Sequence, residues 1–283
     1  MHLSKRVRAR FLLIFIAMLP LVSVFAADAP APVASPTATP AFVPPPPPVT
    51  PVFNCKPLPK FDPADWSAVE KAFSDAVAIP YRQAWLEKPD EKFEAATVRI
   101  GWTRDAVWFY CVMEDRYIFN PTTRMNEIPD PAIAAGNEVS TVMGDAFEVL
   151  VRHEDINPGP YYELHVTPEN QVLQLTWGSW RDYLETGRHI EMHFIDGEKA
   201  FTSFTKIDNM HKQWRVLMKV PVALLKMDAI IPGDSWRFSC CRYDFDQGNP
   251  RAVYSSTSPI QSYRGHRMSF QRQEEWGILK FVK

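Results

Sequence analysis

Residues 98–113 read VRIGWTRDAVWFYCVM. Val98, Ile100 and Trp102 alternate with Arg99, Gly101 and Thr103, the period of a strand with one buried face. Thr103-Arg104-Asp105 is a turn signal, and Ala106 to Met113 is a continuous apolar run rich in β-formers. Two strand-length segments joined by a short turn predict a hairpin, and the same period governs most of the chain on either side.

C-terminal to the hairpin, Phe147, Val149 and Val151 alternate with Glu148, Leu150 and Arg152. Further strands are predicted over Tyr161 to Thr167, Gln171 to Thr176, His189 to Phe194, Ala200 to Ile207, Gln213 to Val220, Ser235 to Asp244 and Gly277 to Val282. Only Trp66 to Ala76 and Val222 to Met227 read as helical. With about ten strands and turn signals such as Pro168-Glu169-Asn170 and Pro232-Gly233-Asp234, residues 61–283 are expected to form one all-β domain, an antiparallel, jelly-roll-like β-sandwich. Asn120 to Gly144, with Pro121, Pro129 and Pro131, is the longest irregular piece and a candidate rim for a binding site.

Two regions precede that domain. Lys5, Arg6, Arg8 and Arg10 lead into an apolar run from Phe11 to Ala26 that is interrupted by Pro20. Residues 1–26 therefore read as a secretory signal cut after Ala26, leaving a mature chain without a membrane span in the periplasm or outside the cell. Residues 27–60 hold 12 of the 26 prolines, five of them consecutive at Pro44 to Pro48, and read as a linker. Proline holds such a stretch extended, at up to about 3.1 Å per residue, as a spacer or as a tail with no partner. All four cysteines follow the signal. Cys55 and Cys111 pair with Cys240 and Cys241, or one bridge forms and two thiols stay buried.

Charge and composition exclude several functions. The first 26 residues carry four bases and no acid, which takes the net charge of the remainder from −2 to −6. A nucleic-acid binder would normally present a basic field. Only 11 glycines occur, and neither phosphate-cradling glycine motif is present.

Candidate chemistry is thin. His189, Glu191 and His193 alternate on one strand and would face one way, as metal ligands or as a polar outer face. Asp244, Asp246 and Asn249 with Gly248 miss the calcium-loop spacing. A glycosidase needs two carboxylates across a cleft, for which Asp115, Asp145, Glu148 and Glu163 are available. The serine-hydrolase and zinc-protease motifs are missing. The 9 Trp, 9 Tyr and 18 Phe exceed what core filling suggests. Trp177-Gly178-Ser179-Trp180-Arg181-Asp182-Tyr183 places flat rings beside charged groups, which suits a pyranose stacked by its C–H face, or a loop folded back on the core.

The order of landmarks resembles the family 9 carbohydrate-binding modules and their broader relatives. It starts with Val98-x-Ile100-x-Trp102, Asp105, Val107-Trp108-Phe109-Tyr110 and Asp115, then Gly144-Asp145-Ala146-Phe147-Glu148-Val149 and Tyr162-Glu163-Leu164-His165-Val166. It continues through Trp214-x-Val216, Val220-Pro221, Gly233-Asp234-Ser235-Trp236-Arg237-Phe238, Arg242, Ser258-Pro259 and Ser262-Tyr263-Arg264 to Trp276-Gly277-Ile278-Leu279-Lys280-Phe281.

The resemblance implies a non-catalytic β-sandwich that grips glycans between two tryptophans with polar residues beneath. By it Glu148 is the acidic hydroxyl acceptor, His165 a basic contact, Arg242 a polar contact, and Tyr263 stands in for the second stacking tryptophan. Val142 stands where the first would be, and Thr257 replaces another family tryptophan; Trp177 and Trp180 are candidate replacement platforms. Asp115 completes the expected ligand-binding set. No cofactor is implied beyond the structural calcium some modules bind. The expected partner is a polysaccharide or oligosaccharide. Two other readings are a hydrolase or lyase using Glu148 with Asp115 or Glu163, and a haem-binding relative using Met113, Met218 or Lys219.

Overall fold

The predicted hairpin is present as β3 (Ala96–Thr103) and β4 (Ala106–Glu114), paired antiparallel with Val98 opposite Cys111 and Trp102 opposite Val107. The computed structural model describes residues 49–120, 144–154, 160–178, 192–195, 200–246, 251–261 and 269–283. Ala106 to Met113 is apolar throughout because both of its faces are covered. Val107, Phe109, Cys111 and Met113 join the main core, while Ala106, Trp108 and Tyr110 pack under the helix α1 (Trp66–Ala72) through Val69 and Phe73. Asp65 caps that helix, its carboxylate accepting from the Ser67 N–H at 2.9 Å.

β10 (Gln213–Pro221) pairs with β4, and β9 (Thr202–Asp208) lies beyond it. A second limb runs β8 (Met192–Phe194), β7 (Val172–Trp177), β6 (Tyr161–Val166), β5 (Ala146–His153), β11 (Ser235–Asp244), β13 (Gly277–Phe281). β12 (Val253–Ser256) pairs β11, and β2 (Val77–Pro80) pairs β3. The two limbs are joined by β1 (Val52–Pro57). Its Val52 to Cys55 pair with Ile278 to Phe281 of β13, and Lys56 and Pro57 then pair with Gly101 and Trp102 of β3.

The class is all-β, as expected, but the strands form one continuous curled sheet whose limbs share a core. Phe147, Leu164, Trp236 and Phe238 of one limb meet Val98, Phe109, Trp214 and Val216 of the other in a single cluster. Two expectations are corrected. The sheet is not wholly antiparallel, because β1 pairs parallel with both neighbours. The stretch expected as linker also contains a strand, because β1 lies at Val52–Pro57. Proline-rich flanks hid a strand whose bonds come from strands at opposite ends of the sequence. The second expected helix is a 3-10 turn, Val222–Leu225, ended by Lys226 in the left-handed region. All four cysteines are buried free thiols. Among the described residues no helix is long and apolar enough to cross a membrane.

Candidate ligand-binding site

Alternation along β5, β6, β7 and β11 gives the second limb an inner face on the core and an outer face. Registration fixes what meets on the outer face: Glu148 lies opposite His165 on β6 and opposite Cys241 on β11. Tyr161, Glu163 and His165 occupy alternate positions of β6, and Tyr161 lies opposite Trp177 of β7. The side chains converge. The His165 Nε2 is 2.7 Å from the Glu163 Oε1 and 3.8 Å from the Glu148 Oε1. All three residues are buried, with Glu148 and His165 at 0% and 2% exposure.

Rings frame this polar group. Tyr161 and Trp177 stack at 6.3 Å between centroids and 8° between planes, and Trp276 meets Tyr161 edge-on at 5.2 Å. Tyr243 lies 5.9 Å from the His165 ring and continues into Tyr254 and Phe270. Within the frame, hydrogen-bonding capacity goes unused. Among the described residues, both carboxylate oxygens of Glu148, the Glu163 Oε2, the His165 Nδ1, the Tyr161 hydroxyl and the Trp177 indole N–H are buried without a hydrogen-bond partner. Buried polar atoms are normally paired, so several orphans at one spot mark this cluster as the candidate site.

The electrostatics agree. Burial pushes the Glu148 carboxyl well above the usual carboxylate range, with Glu163 adding to the rise and His165 and the nearby Tyr243 phenol opposing it. Burial alone would depress His165, but the carboxylates of Glu148 and Glu163 outweigh it and raise the imidazole. Burial likewise raises the phenols of Tyr161 and Tyr243.

Arg242 and Asp115 are elsewhere. Arg242 lies opposite Phe147, so it points to the inner face of β11, away from Glu148. Its Nη2 lies 3.3 Å from the Asp115 Oδ2 and 3.2 Å from the Asp244 Oδ2, and its Nη1 donates to the Glu94 carbonyl at 3.2 Å. Asp145 accepts from the backbone N–H of Phe119 and, at 2.7 Å, from that of Phe245. This knot ties the ends of β4, β5 and β11 together. Glu94, Asp115 and Asp244 present donors within 4.8 Å of one another, but cations already lie against them, Arg242 between Asp115 and Asp244 and Arg116 on Glu94. Asp246 pairs with Lys92 at 2.8 Å.

Trp180, Tyr263, Val142, His189, Glu191 and Asn249 lie outside the described residues, as does the side chain of His193. Met113 and Met218 are packed in the core, whereas Lys219 reaches the opposite face, bonded to Asp105 at 2.6 Å and lying over Trp108. The three therefore do not line one haem pocket. Tyr161 and Tyr243 were not singled out from sequence. The signal was available in Tyr161, Glu163 and His165, which follow the i, i+2, i+4 spacing of one strand face.

No family model and no curated protein matches the sequence. Solved structures do. A proposed carbohydrate-binding protein from Bacteroides uniformis matches with a TM-score of 0.57 and 13% identity, over 82% of this chain and 99% of that one. A family 9 carbohydrate-binding module from Caldicellulosiruptor kristjanssonii in complex with cellotriose matches with a TM-score of 0.50 and 11% identity, over 82% of this chain and 93% of that one. The fold of this chain is that of the family 9 carbohydrate-binding modules.

Proposed function

We propose that this chain is an exported, non-catalytic carbohydrate-binding domain that takes a polysaccharide or oligosaccharide on the outer face of β5, β6, β7 and β11. One observation carries the reading: the unpartnered polar atoms of Glu148, Glu163, His165, Tyr161 and Trp177, held together inside an aromatic frame. Sugar hydroxyls donate and accept in the same small volume, which matches carboxylate oxygens beside an indole N–H and an imidazole. The stacked Trp177, with Trp180 and Tyr263 as further platforms, supplies the flat faces for C–H stacking. The fold shared with a module solved with cellotriose supports the same ligand class. Arg242 and Asp115 serve from the reverse face, positioning β11 rather than touching the sugar. The basic, then apolar, residues 1–26 and the proline-rich stretch support a domain held outside the cytoplasm on a stalk, with its two limbs as the layers of a sandwich.

Calorimetric titration of the purified chain with a panel of oligosaccharides tests this. Glucan, xylan or related fragments are expected to bind, with Glu148→Gln weakening affinity about 10- to 100-fold, as for a lost hydrogen bond to a charged group, and Trp177→Ala about 3- to 10-fold. Failure of every glycan to bind the unaltered chain would overturn the proposal.

A hydrolytic reading draws on the same acids, since donor atoms of Glu148 and Glu163 lie within 4.8 Å. That is near the roughly 5 Å separation of a retaining glycosidase pair. The two carboxylates stand side by side on adjacent strands, however, and share His165 rather than flanking a bond from two walls. Incubation with the bound glycan is expected to release no reducing ends.

A further inference from the structure

The outer face of β5 and β6 carries a second possibility that does not depend on sugar. Glu148, Glu163 and His165 each bring a donor atom to within 4.8 Å of the others. Among the described residues both Glu148 oxygens, the Glu163 Oε2 and the His165 Nδ1 have no hydrogen-bond partner, and Glu148 is fully buried. Were Glu148 ionised, it would lie buried with only His165, 3.8 Å away, to answer its charge, because Glu163 already holds that ring at 2.7 Å. A divalent cation with a neutral imidazole would balance two carboxylates in full.

The backbone holds the three donors rigidly. Glu163 and His165 are alternate residues of one strand, and Glu148 lies directly across from His165, so register alone fixes the set. Metal–nitrogen and metal–oxygen bonds of about 2.0 to 2.2 Å at tetrahedral angles set donors about 3.3 to 3.6 Å apart. The present separations from His165 Nε2, 2.7 Å and 3.8 Å, bracket that span, so small side-chain rotations would admit an ion. Imidazole with carboxylates suits zinc or manganese, whereas calcium asks for six or more oxygens. We infer that Glu148, Glu163 and His165 form a zinc-class metal site on the outer face of β5 and β6, with one coordination position left for water or a ligand oxygen.

The test uses the full chain stripped with EDTA and then titrated separately with Zn²⁺, Mn²⁺ and Ca²⁺ against a chromophoric chelator. One equivalent of Zn²⁺ is expected to bind at micromolar Kd or tighter and to raise the melting temperature, with Ca²⁺ at least 100-fold weaker. Glu163→Gln and Glu148→Gln should each weaken Zn²⁺ at least tenfold. Co²⁺ should give visible absorption bands in the unaltered chain that Glu163→Gln abolishes, a readout that decides the matter should Glu148→Gln fail to fold. Changing both His189 and His193 to alanine should leave binding intact. The inference is overturned if the unaltered chain takes up no Zn²⁺, if both glutamine variants bind it unchanged, or if the double histidine variant loses it. Glycan binding that persists in EDTA without Zn²⁺ uptake sinks the metal site alone; Zn²⁺ uptake without glycan binding sinks the saccharide reading alone.

Discussion

Arg242 is one cation among several buried acids. Burial lifts the Asp244 carboxyl to about 7, with Arg242 offsetting part of the rise. Burial and the neighbouring Asp115 lift Asp145, and burial lifts Asp115 itself. The other charges facing this knot are already paired, Glu94 with Arg116 and Asp246 with Lys92. These aspartates keep protons in the folded chain where an unfolded aspartate, with a pKa of about 3.9, has lost them. Their contribution is therefore fully present below that value and is lost as pH rises, through about 7 for Asp244 and about 9 for Asp145. The slope is at most about 1.4 kcal/mol per pH unit for each proton, and 1 kcal/mol moves the melting temperature of a domain this size by about 2 to 4 °C. Thermal melts are expected to fall by about 3 °C or more between pH 5.5 and 8, less steeply in Asp244→Asn; a flat or rising profile would contradict this origin. The misplacement of Arg242 has a simple cause. Which face a β11 residue takes relative to Glu148 depends on Cys241, not Arg242, standing opposite it, and no local pattern states that register.

Among the elements, β3 shows how tightly β1 must approach. A Cβ on Gly101 would sit 2.4 Å from the Leu58 side chain, whose backbone N–H donates to the Trp102 carbonyl at 2.8 Å. Gly101→Ala is expected to displace Leu58 and cost about 1 to 3 kcal/mol, measurable as a lower urea midpoint, while Gly233→Ala would act only through its backbone angle. Strands that alternate, such as β5, or that are covered on both faces, such as β4, were legible because their burial is written in local sequence. β1, β2 and β12 were not: they are four to six residues long, too short to show a period, and β1 takes its identity from β13 more than 200 residues away. For the same reason Glu148 and His165 could be named singly, yet Tyr243 became part of the site only once β11 was laid beside β5.

At the scale of the whole molecule, the outer face of one limb carries the candidate site and that of the other carries α1. The seam between them is β1, and its geometry has a mechanical consequence. β1 and β13 run parallel, with Val52 beside Ile278 and Cys55 beside Phe281. The chain enters at one end of that shared ladder and leaves at the other, closed by bonds from Ile278 to the Pro51 carbonyl and from Val282 to the Cys55 carbonyl, both 2.9 Å. A tug between the two ends loads those bonds in shear, so that they must rupture together rather than unzip one by one. In single-molecule pulling, handles at Val52 and Lys283 should meet a higher rupture force than handles at Val52 and the edge strand β9. A domain so clasped would hold its shape under a pull along that axis.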